Sequence, residues 1–452
     1  MIPCLIRLYS KAPRIGSRNS VSTRLVAHYA RPISTSLASM TKFEEELLSN
    51  DKNGYFPVHA GSTIKGDGGE TYEAVRKLGW GINSTVWVGR NCSDNASPKY
   101  VALKILNKSA TREHDLSSQT SGDTNELDML LRSYDGKEPE HRPKKPTYAE
   151  QGLTSPPHPG WMRVAGCLGA FPCGNSQHLA IVSPLYGEHM RDYMRGEPDK
   201  RLALPLVKRI ARQVLQALHY LHSECGIIHS DVKPENVFRD FNLGPDIDDI
   251  FEAIGTQEPN AGRDGRSAAL WVPHHDRLDY FFVVLADLSH ASWSDLIKRS
   301  PRAIGSPALK APELVLAFAY TTKIDIWSLG CTLFELLTGR LLFSFPDSRS
   351  PNEFDQEPKY HLNLMQSLIR EPFFPEASRG TITVEEGFID SDGWINSPEK
   401  GDTLEERIAK DVPSDVVEKD GLAVFLRRCL RLDPSKRASA SELLDDPWLV
   451  ES

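Results

Sequence analysis

Residues 229–236 read HSDVKPEN. Asp231 stands two places after His229 and is followed by Lys233 and Asn236, a set able to take a proton from a hydroxyl and to hold a metal ion. An ordinary polar turn has the same composition, so the reading depends on whether the rest of the chain supplies the other parts of that chemistry. Immediately upstream, LVKRIARQVLQALHYLH carries Val207, Ile210, Val214, Leu215, Leu218 and Leu221 along one helical stripe, and this predicted helix delivers the chain to the loop. Downstream, the apolar run YFFVVLADL (280–288) has the length of a buried strand. Helices are predicted at IDIWSLGCTLFELLTG and LAVFLRRCL, with Ser439 or Ser441 capping the last turns.

The region before residue 200 has a different period. EAVRKL, TVWVGR and YVALKIL alternate apolar and polar residues between turn signals, and WMRVAGCLGAF and HLAIVSPLYG extend the series to five strands. One helix interrupts them at NELDMLLRS, with Leu127, Leu130 and Leu131 on its apolar face. The Lys/Pro/Glu-rich stretch from about 136 to 159 reads as an exposed insertion. The order is a strand-rich part followed by a helical one.

With 452 residues, 40% hydrophobic and 25% charged, the chain can bury a large core, which excludes disorder throughout. A formal charge of -8 argues against a general nucleic-acid binder, because neutralising phosphates needs a basic face. Seven scattered cysteines without a C-x-x-C pair indicate neither a disulfide framework nor a zinc site, and read as belonging to a reducing compartment. No apolar run approaches the roughly 20 residues of a membrane span. Residues 1–40 contain no Asp or Glu but six Lys/Arg among many Ser, the composition of a mitochondrial presequence; a disordered basic tail, or a start at Met40, fits the same residues.

Three further groups of residues supply parts that the 229–236 loop lacks. LGWGINSTV (Leu78, Gly79, Trp80, Gly81, Ile82, Asn83, Ser84, Thr85, Val86) places two glycines between strands, where the backbone can approach a phosphate. Lys104 in VALK lies on the next strand, on the face of Ala102 and opposite Leu103 and Ile105. A Lys there can reach nucleotide phosphates if a carboxylate holds it; Glu126 is favoured, because Leu130 one turn later faces the core, with Glu113 and Asp128 as alternatives. Asp287 ends the buried strand, where an unpaired carboxylate is costly unless it binds metal. Phosphoryl transfer needs this set: a phosphate-cradling loop, a cation, a metal site and a base.

Together, and in this order, these residues resemble the eukaryotic protein kinases, and the resemblance continues through APE (311–313), DIWSLG (Asp325, Trp327, Gly330) and Arg437 to cover about residues 72–450. It implies an α+β, two-lobed fold: a small antiparallel N-lobe (about 72–185) and a larger helical C-lobe (about 186–450), after an extension at 41–71. It also implies ATP and Mg²⁺, with Asp231 as catalytic base, Lys233 neutralising the transferring phosphoryl, Asn236 and Asp287 as metal ligands, Leu78 to Val86 and Leu185 at the nucleotide, and Glu313 paired with Arg437.

VKPEN looks like the serine/threonine class. Within it, KLGWGINSTVWVG, IIHSDVKPEN, LADLSHASW and YFPVHAGSTI are similar to the SR-protein kinases, fungal members included. That resemblance implies a protein substrate rich in Arg and Ser, no direct nucleic-acid or membrane partner, and a monomer of the cytoplasm or nucleus. Fifty-one residues separate Asn236 from Asp287, leaving an insert at about 240–278 where that family carries its spacer.

Ser230 stands where most kinases have an Arg that binds an activation-segment phosphate, which implies activity without that phosphorylation. Ser289 replaces the Gly of the usual DFG and should make Asp287 less mobile. Ser183 falls at the gatekeeper position of the hinge, followed by Pro184 and Leu185. With Ser84, Ser230 and Ser289 as its support, the alternative is an ATP-binding pseudokinase acting as a scaffold; Lys104, Asp231, Asn236 and Asp287 stand against it.

Overall fold

A computed structural model describes residues 54–81, 83–93, 98–117, 125–137, 151–152, 158–197, 199–240, 278–296, 305–345, 357–374, 387–396, 398, 400–414, 416 and 418–450. The 1–40 segment, Ile82 and nearly all of the 240–278 insert lie outside them. The chain divides into two units, residues 54–116 with 167–185, and the remainder.

The first unit is a six-stranded antiparallel sheet in the order β1-β2-β3-β4-β6-β5. Its strands are β1 (Thr63–Lys65), β2 (Thr71–Gly81), β3 (Ser84–Asn91), β4 (Tyr100–Leu106), β5 (Gly169–Cys173) and β6 (His178–Ser183), with helix α1 (Lys108–Ser117) after β4. Period-2 alternation gives the sheet two chemically different faces. One buries Trp87, Val101, Leu103, Ile105, Ala180 and Val182 against Ile64, Tyr72 and Phe171. Tyr72 and Phe171 stack with their planes at 4°. Each such apolar side chain contributes roughly 1.5–3 kcal/mol of burial.

The second unit holds α2 (Glu126–Asp135), α3 (Met190–Gly196), α4 (Leu204–Tyr220), α5 (Pro312–Val315), α6 (Lys323–Thr338), α7 (Glu357–Ile369), α8 (Leu404–Asp411), α9 (Lys419–Cys429), α10 (Ala440–Leu444) and α11 (Pro447–Val450). Two short ribbons, β7 (Ile227–Ile228) with β10 (Ser292–Trp293) and β8 (Val237–Asp240) with β9 (Phe282–Leu285), frame the 229–236 loop. The predicted stripe of α4 is buried throughout: Val207, Ile210, Val214, Leu215, Leu218 and, in the π-turn that follows, Leu221. Helix α6 is buried on every side from Ile324 to Leu337. Ser439 is the N-cap of α10 in a capping box with Glu442.

The structure departs from the sequence reading in several places, among them Gly79 and Gly81, which lie within β2 and not between strands, and the unpredicted helices α3, α7 and α8. β1 and α1 are additional to the five strands and one helix. WMRVAGCLGAF becomes strand only from Gly169, because Pro159–Arg163 forms a 3-10 turn whose Gly160 lies so close to α4 that a Cβ would strike the carbonyl of Gln216. The run 280–288 is strand only at 282–285. Helix α2 buries Met129, Leu130, Arg132 and Ser133, while Leu127 and Leu131 are half-buried. The Arg132 guanidinium reaches Gly136 O at 3.2 Å and Glu224 O at 2.5 Å, and these two bonds turn that face inward.

Candidate active site

In the first unit the second face of the sheet carries the predicted phosphate-binding groups. Directly opposed residues of antiparallel strands share a face. Gly79 pairs with Val86, Val86 with Lys104, and Lys104 with Ile181, while Ala102 pairs with Ser183. Lys104 is half-buried between the fully buried Leu103 and Ile105, as the alternation requires.

Neither Gly79 nor Gly81 uses a left-handed backbone, and a Cβ added at either would meet no atom within 4 Å. The strand ends therefore border open space, which fits a backbone cradle for phosphate. Tyr55 braces this end by donating to Gly81 O at 2.8 Å, and Ser84 and Thr85 are buried at the start of β3. Leu78 and Trp80 are half-buried, Asn83 is exposed and Leu185 is buried.

Ser183 shares its face with Ala102 and Lys104, so a larger side chain here would project from the face that carries the Lys. Ser183→Phe should weaken bulky ATP-competitive inhibitors by an order of magnitude or more, about the 1.4 kcal/mol that a tenfold change represents. Equal dissociation constants for wild type and variant would refute the assignment.

In the second unit, the 229–236 loop is held by its backbone. Asp325 Oδ2 accepts the amide of His229 at 2.8 Å and Oδ1 that of Ser230 at 2.7 Å, while His222 donates from Nε2 to Oδ2 at 2.8 Å. Thr332 Oγ1 donates to Val232 O. These bonds hold Ser230 at φ 68°, a left-handed conformation costing of order 1–3 kcal/mol in a non-glycine residue. One tautomer of His229 serves two partners: Nδ1 accepts the amide of Asp231 at 3.3 Å and Nε2 donates to Ala286 O at 3.0 Å.

Asp231 is 4% exposed and is the centre of the loop. Its Oδ2 accepts from Lys233 Nζ at 2.5 Å and from Asn236 Nδ2 at 3.0 Å, and its Oδ1 accepts from Ser306 Oγ at 3.2 Å. Asn236 Nδ2 also donates to Asp231 O at 2.8 Å, so both amide hydrogens are committed and Oδ1 is left as an acceptor. The amide of Ala286 donates to Asn236 O, and β8 pairs with β9 with Val237 opposite Leu285. Asp287, the residue after Ala286, follows at φ 67°, a second strained non-glycine position.

Asn236 and Asp287 thus stand at the adjoining ends of β8 and β9, and an amide oxygen and a carboxylate are hard-oxygen donors of the kind Mg²⁺ takes beside phosphate and water. Helix α2, which carries the half-buried Glu126 in its first turn, lies against the turn Leu288–His290. Of the alternatives to Glu126, Glu113 is exposed, and Asp128 is engaged by the N-cap Asn125 at 2.7 Å.

The sequence reading missed Ser306, His222 and the part played by Asp325. No local pattern marks Ser306, which lies 75 residues from the carboxylate it touches. Asp325 was visible inside DIWSLG, but its fully buried carboxylate acts on backbone amides, which carry no residue-specific signal.

The protein kinase domain family matches this chain over residues 164–449. A serine/threonine-protein kinase SRPK of Physarum polycephalum is 30% identical over 428 residues, 88% of this chain and 90% of its own length. A serine/threonine protein kinase of Aspergillus fumigatus is 27% identical over 433 residues, 92% of each chain. SRSF protein kinase 3 of Homo sapiens is 34% identical over 201 residues, 44% of this chain and 30% of its own. Among solved structures, a kinase domain is similar with a TM-score of 0.55 at 19% identity, covering 88% of this chain and 100% of that one.

Proposed function

The chain belongs to the protein kinase family as a serine/threonine kinase of the SRPK type, and on that premise we propose that it transfers the γ-phosphoryl group of Mg-ATP to serines in Arg/Ser-rich protein segments. The observation that carries the reading is the set of contacts on Asp231. A carboxylate held by Lys233, Asn236 and Ser306, in a loop pinned by Asp325, is preorganised to orient an acceptor hydroxyl and take its proton.

When bound, Mg-ATP supplies the phosphoryl group and a cation that offsets the charge developing on it. Lys233, beside Asp231, would stabilise the equatorial oxygens of the transferring group. Asn236 Oδ1 and the Asp287 carboxylate would hold the metal. In the first unit, the backbone between Gly79 and Val86 and the ammonium of Lys104 would bind the nucleotide's phosphates.

The test is phosphate incorporation by the purified full chain with Mg-ATP, offering an Arg-Ser repeat peptide beside a neutral Ser peptide. Incorporation concentrated in the Arg-Ser peptide is the expected outcome. Turnover on the neutral peptide alone would keep the kinase and discard the Arg/Ser preference. Nucleotide binding without turnover on either peptide would favour the scaffold reading.

A further inference from the structure

Residues 54–58 precede the first strand and are tied to the six-stranded sheet near the tip of the β2–β3 hairpin. Gly54 lies at φ 58°, and its carbonyl accepts the amide of Lys108, the first residue of α1, at 3.0 Å. A Cβ at Gly54 would stand 3.0 Å from three carbons of the Lys108 side chain, so backbone angle and space both call for glycine. Phe56 meets the buried His178 edge-on, with ring centroids 5.1 Å apart, and His178 Nδ1 donates to Leu106 O at 2.8 Å. Between these two anchors stands Tyr55, whose hydroxyl donates to Gly81 O at 2.8 Å.

Gly81 is one flank of the hairpin tip. The other is Asn83, whose carbonyl accepts the amide of Asn107 at 2.8 Å. The Asn107 side chain also bonds the Tyr55 hydroxyl. Because the single phenolic proton goes to Gly81, the Asn107 amide is the donor in that bond. Asn107 is itself fixed, being 5% exposed with its Oδ1 accepting the amide of Ala110 at 2.8 Å. Packing supplies no brace on the side where a Cβ of Gly79 or Gly81 would stand, since neither would meet an atom within 4 Å. Glycine backbone is the costliest to order, so bonds at the flanks decide how much of the tip is ordered before a ligand arrives.

We propose that Tyr55 is a positioning residue for the nucleotide: anchored through Gly54 and Phe56, it holds the Gly81 carbonyl so that the backbone between Gly79 and Val86 is preset to receive phosphates. The proposal rests on the kinase reading for the identity of the ligand and on these contacts for the brace. Apparent affinity scales with the fraction of free protein already in the receiving conformation. The net worth of one hydrogen bond changes such a fraction several-fold. Adenosine carries no phosphate, so its affinity does not draw on the tip.

In the full chain, Tyr55→Phe keeps the ring and removes the hydroxyl. It should raise the dissociation constant for Mg-ATP roughly fivefold and leave that for adenosine within about twofold. KM for ATP should rise with it, while KM for the Arg-Ser peptide stays the same. Ser176→Ala is the control, because it removes another hydroxyl bond of the same unit, to Asp67 at 2.6 Å, and should move neither constant. A general loosening of the unit would weaken both ligands alike, so an unchanged ratio of the two dissociation constants overturns the proposal, as does an equal change of ratio in the control. Phosphorylation by wild type with that ratio unchanged in Tyr55→Phe keeps the kinase and discards the brace. If wild type binds Mg-ATP but phosphorylates neither peptide, the transferase reading fails and the ratio still decides the brace. A wild type that binds no Mg-ATP overturns both.

Discussion

Asp231→Asn should lower phosphoryl transfer by about 10²–10⁴-fold, the range attributed to a positioned general base, with Mg-ATP still bound. The substitution is nearly isosteric and keeps one oxygen that can accept from Lys233 and Asn236, while its amide NH2 can donate to the Ser306 hydroxyl, so the loop should stay in place through Asp325 and Thr332. What is lost is the proton acceptor and the negative charge that holds Lys233. The effect therefore belongs on kcat, with KM for the peptide changing much less. Steady-state kinetics on the Arg-Ser peptide, paired with nucleotide titration and a thermal melt, separate the loss of the base from loss of the fold. Turnover within tenfold of wild type, in a protein that melts normally, would remove Asp231 from the role of base. A collapse of nucleotide binding together with turnover would instead place Asp231 in the architecture of the loop.

The distance dependence of each signal decides which parts of this site could be read from the sequence. The parity of Lys104 with Ala102, against Leu103 and Ile105, follows from a period of two and is met along β4. The α4 stripe follows from a period of 3.6 and is buried at each predicted position. Helix α2 escaped the same count because its inward face is fixed by a polar group. Burial of Arg132 depends on carbonyl acceptors at Gly136 and Glu224, the second 92 residues away, and apolar periodicity cannot register them. Strand β1 is three residues long, too short for alternation to stand out, and α1, KSATREHDLS, lacks an apolar stripe.

The contacts of Ser306 and Tyr55 likewise join residues 75 and 26 positions from their partners. The residue types at the centre of the site were legible because phosphoryl transfer restricts them. The side chains that orient them are chosen by tertiary geometry, which many residue types could satisfy.

Arg437→Ala should destabilise the protein by about 3–5 kcal/mol, the cost of leaving one partner of a buried ion pair alone. The pairing of Glu313 with Arg437, implied at the sequence level by APE and a late Arg, is bidentate in the structure. Nη1 lies 2.8 Å from Oε1 and Nη2 3.1 Å from Oε2, and the two side chains are 0% and 1% exposed. The guanidinium also donates to Lys323 O at 2.7 Å and Arg431 O at 2.9 Å, and lies 5.2 Å from the centroid of the Trp327 ring.

Truncation removes all of these donors together, leaving a buried carboxylate and two carbonyls without them. Glu313→Gln should cost less, because an amide oxygen can still accept from one arm of the fork and the guanidinium keeps its carbonyl partners. The difference between the variants then reports the charge separately from the hydrogen bonds. Urea unfolding, read as a shift in midpoint at constant slope, measures both. Glu313 lies in the first turn of α5, seven residues after Ser306, so the ion pair anchors the chain close to a group touching Asp231. Arg437→Ala should therefore lose activity at temperatures where it is still folded. A variant with a midpoint within about 1 kcal/mol of wild type would show that the surroundings collapse or hydrate to replace the fork, and that the pair fixes geometry without stabilising the fold.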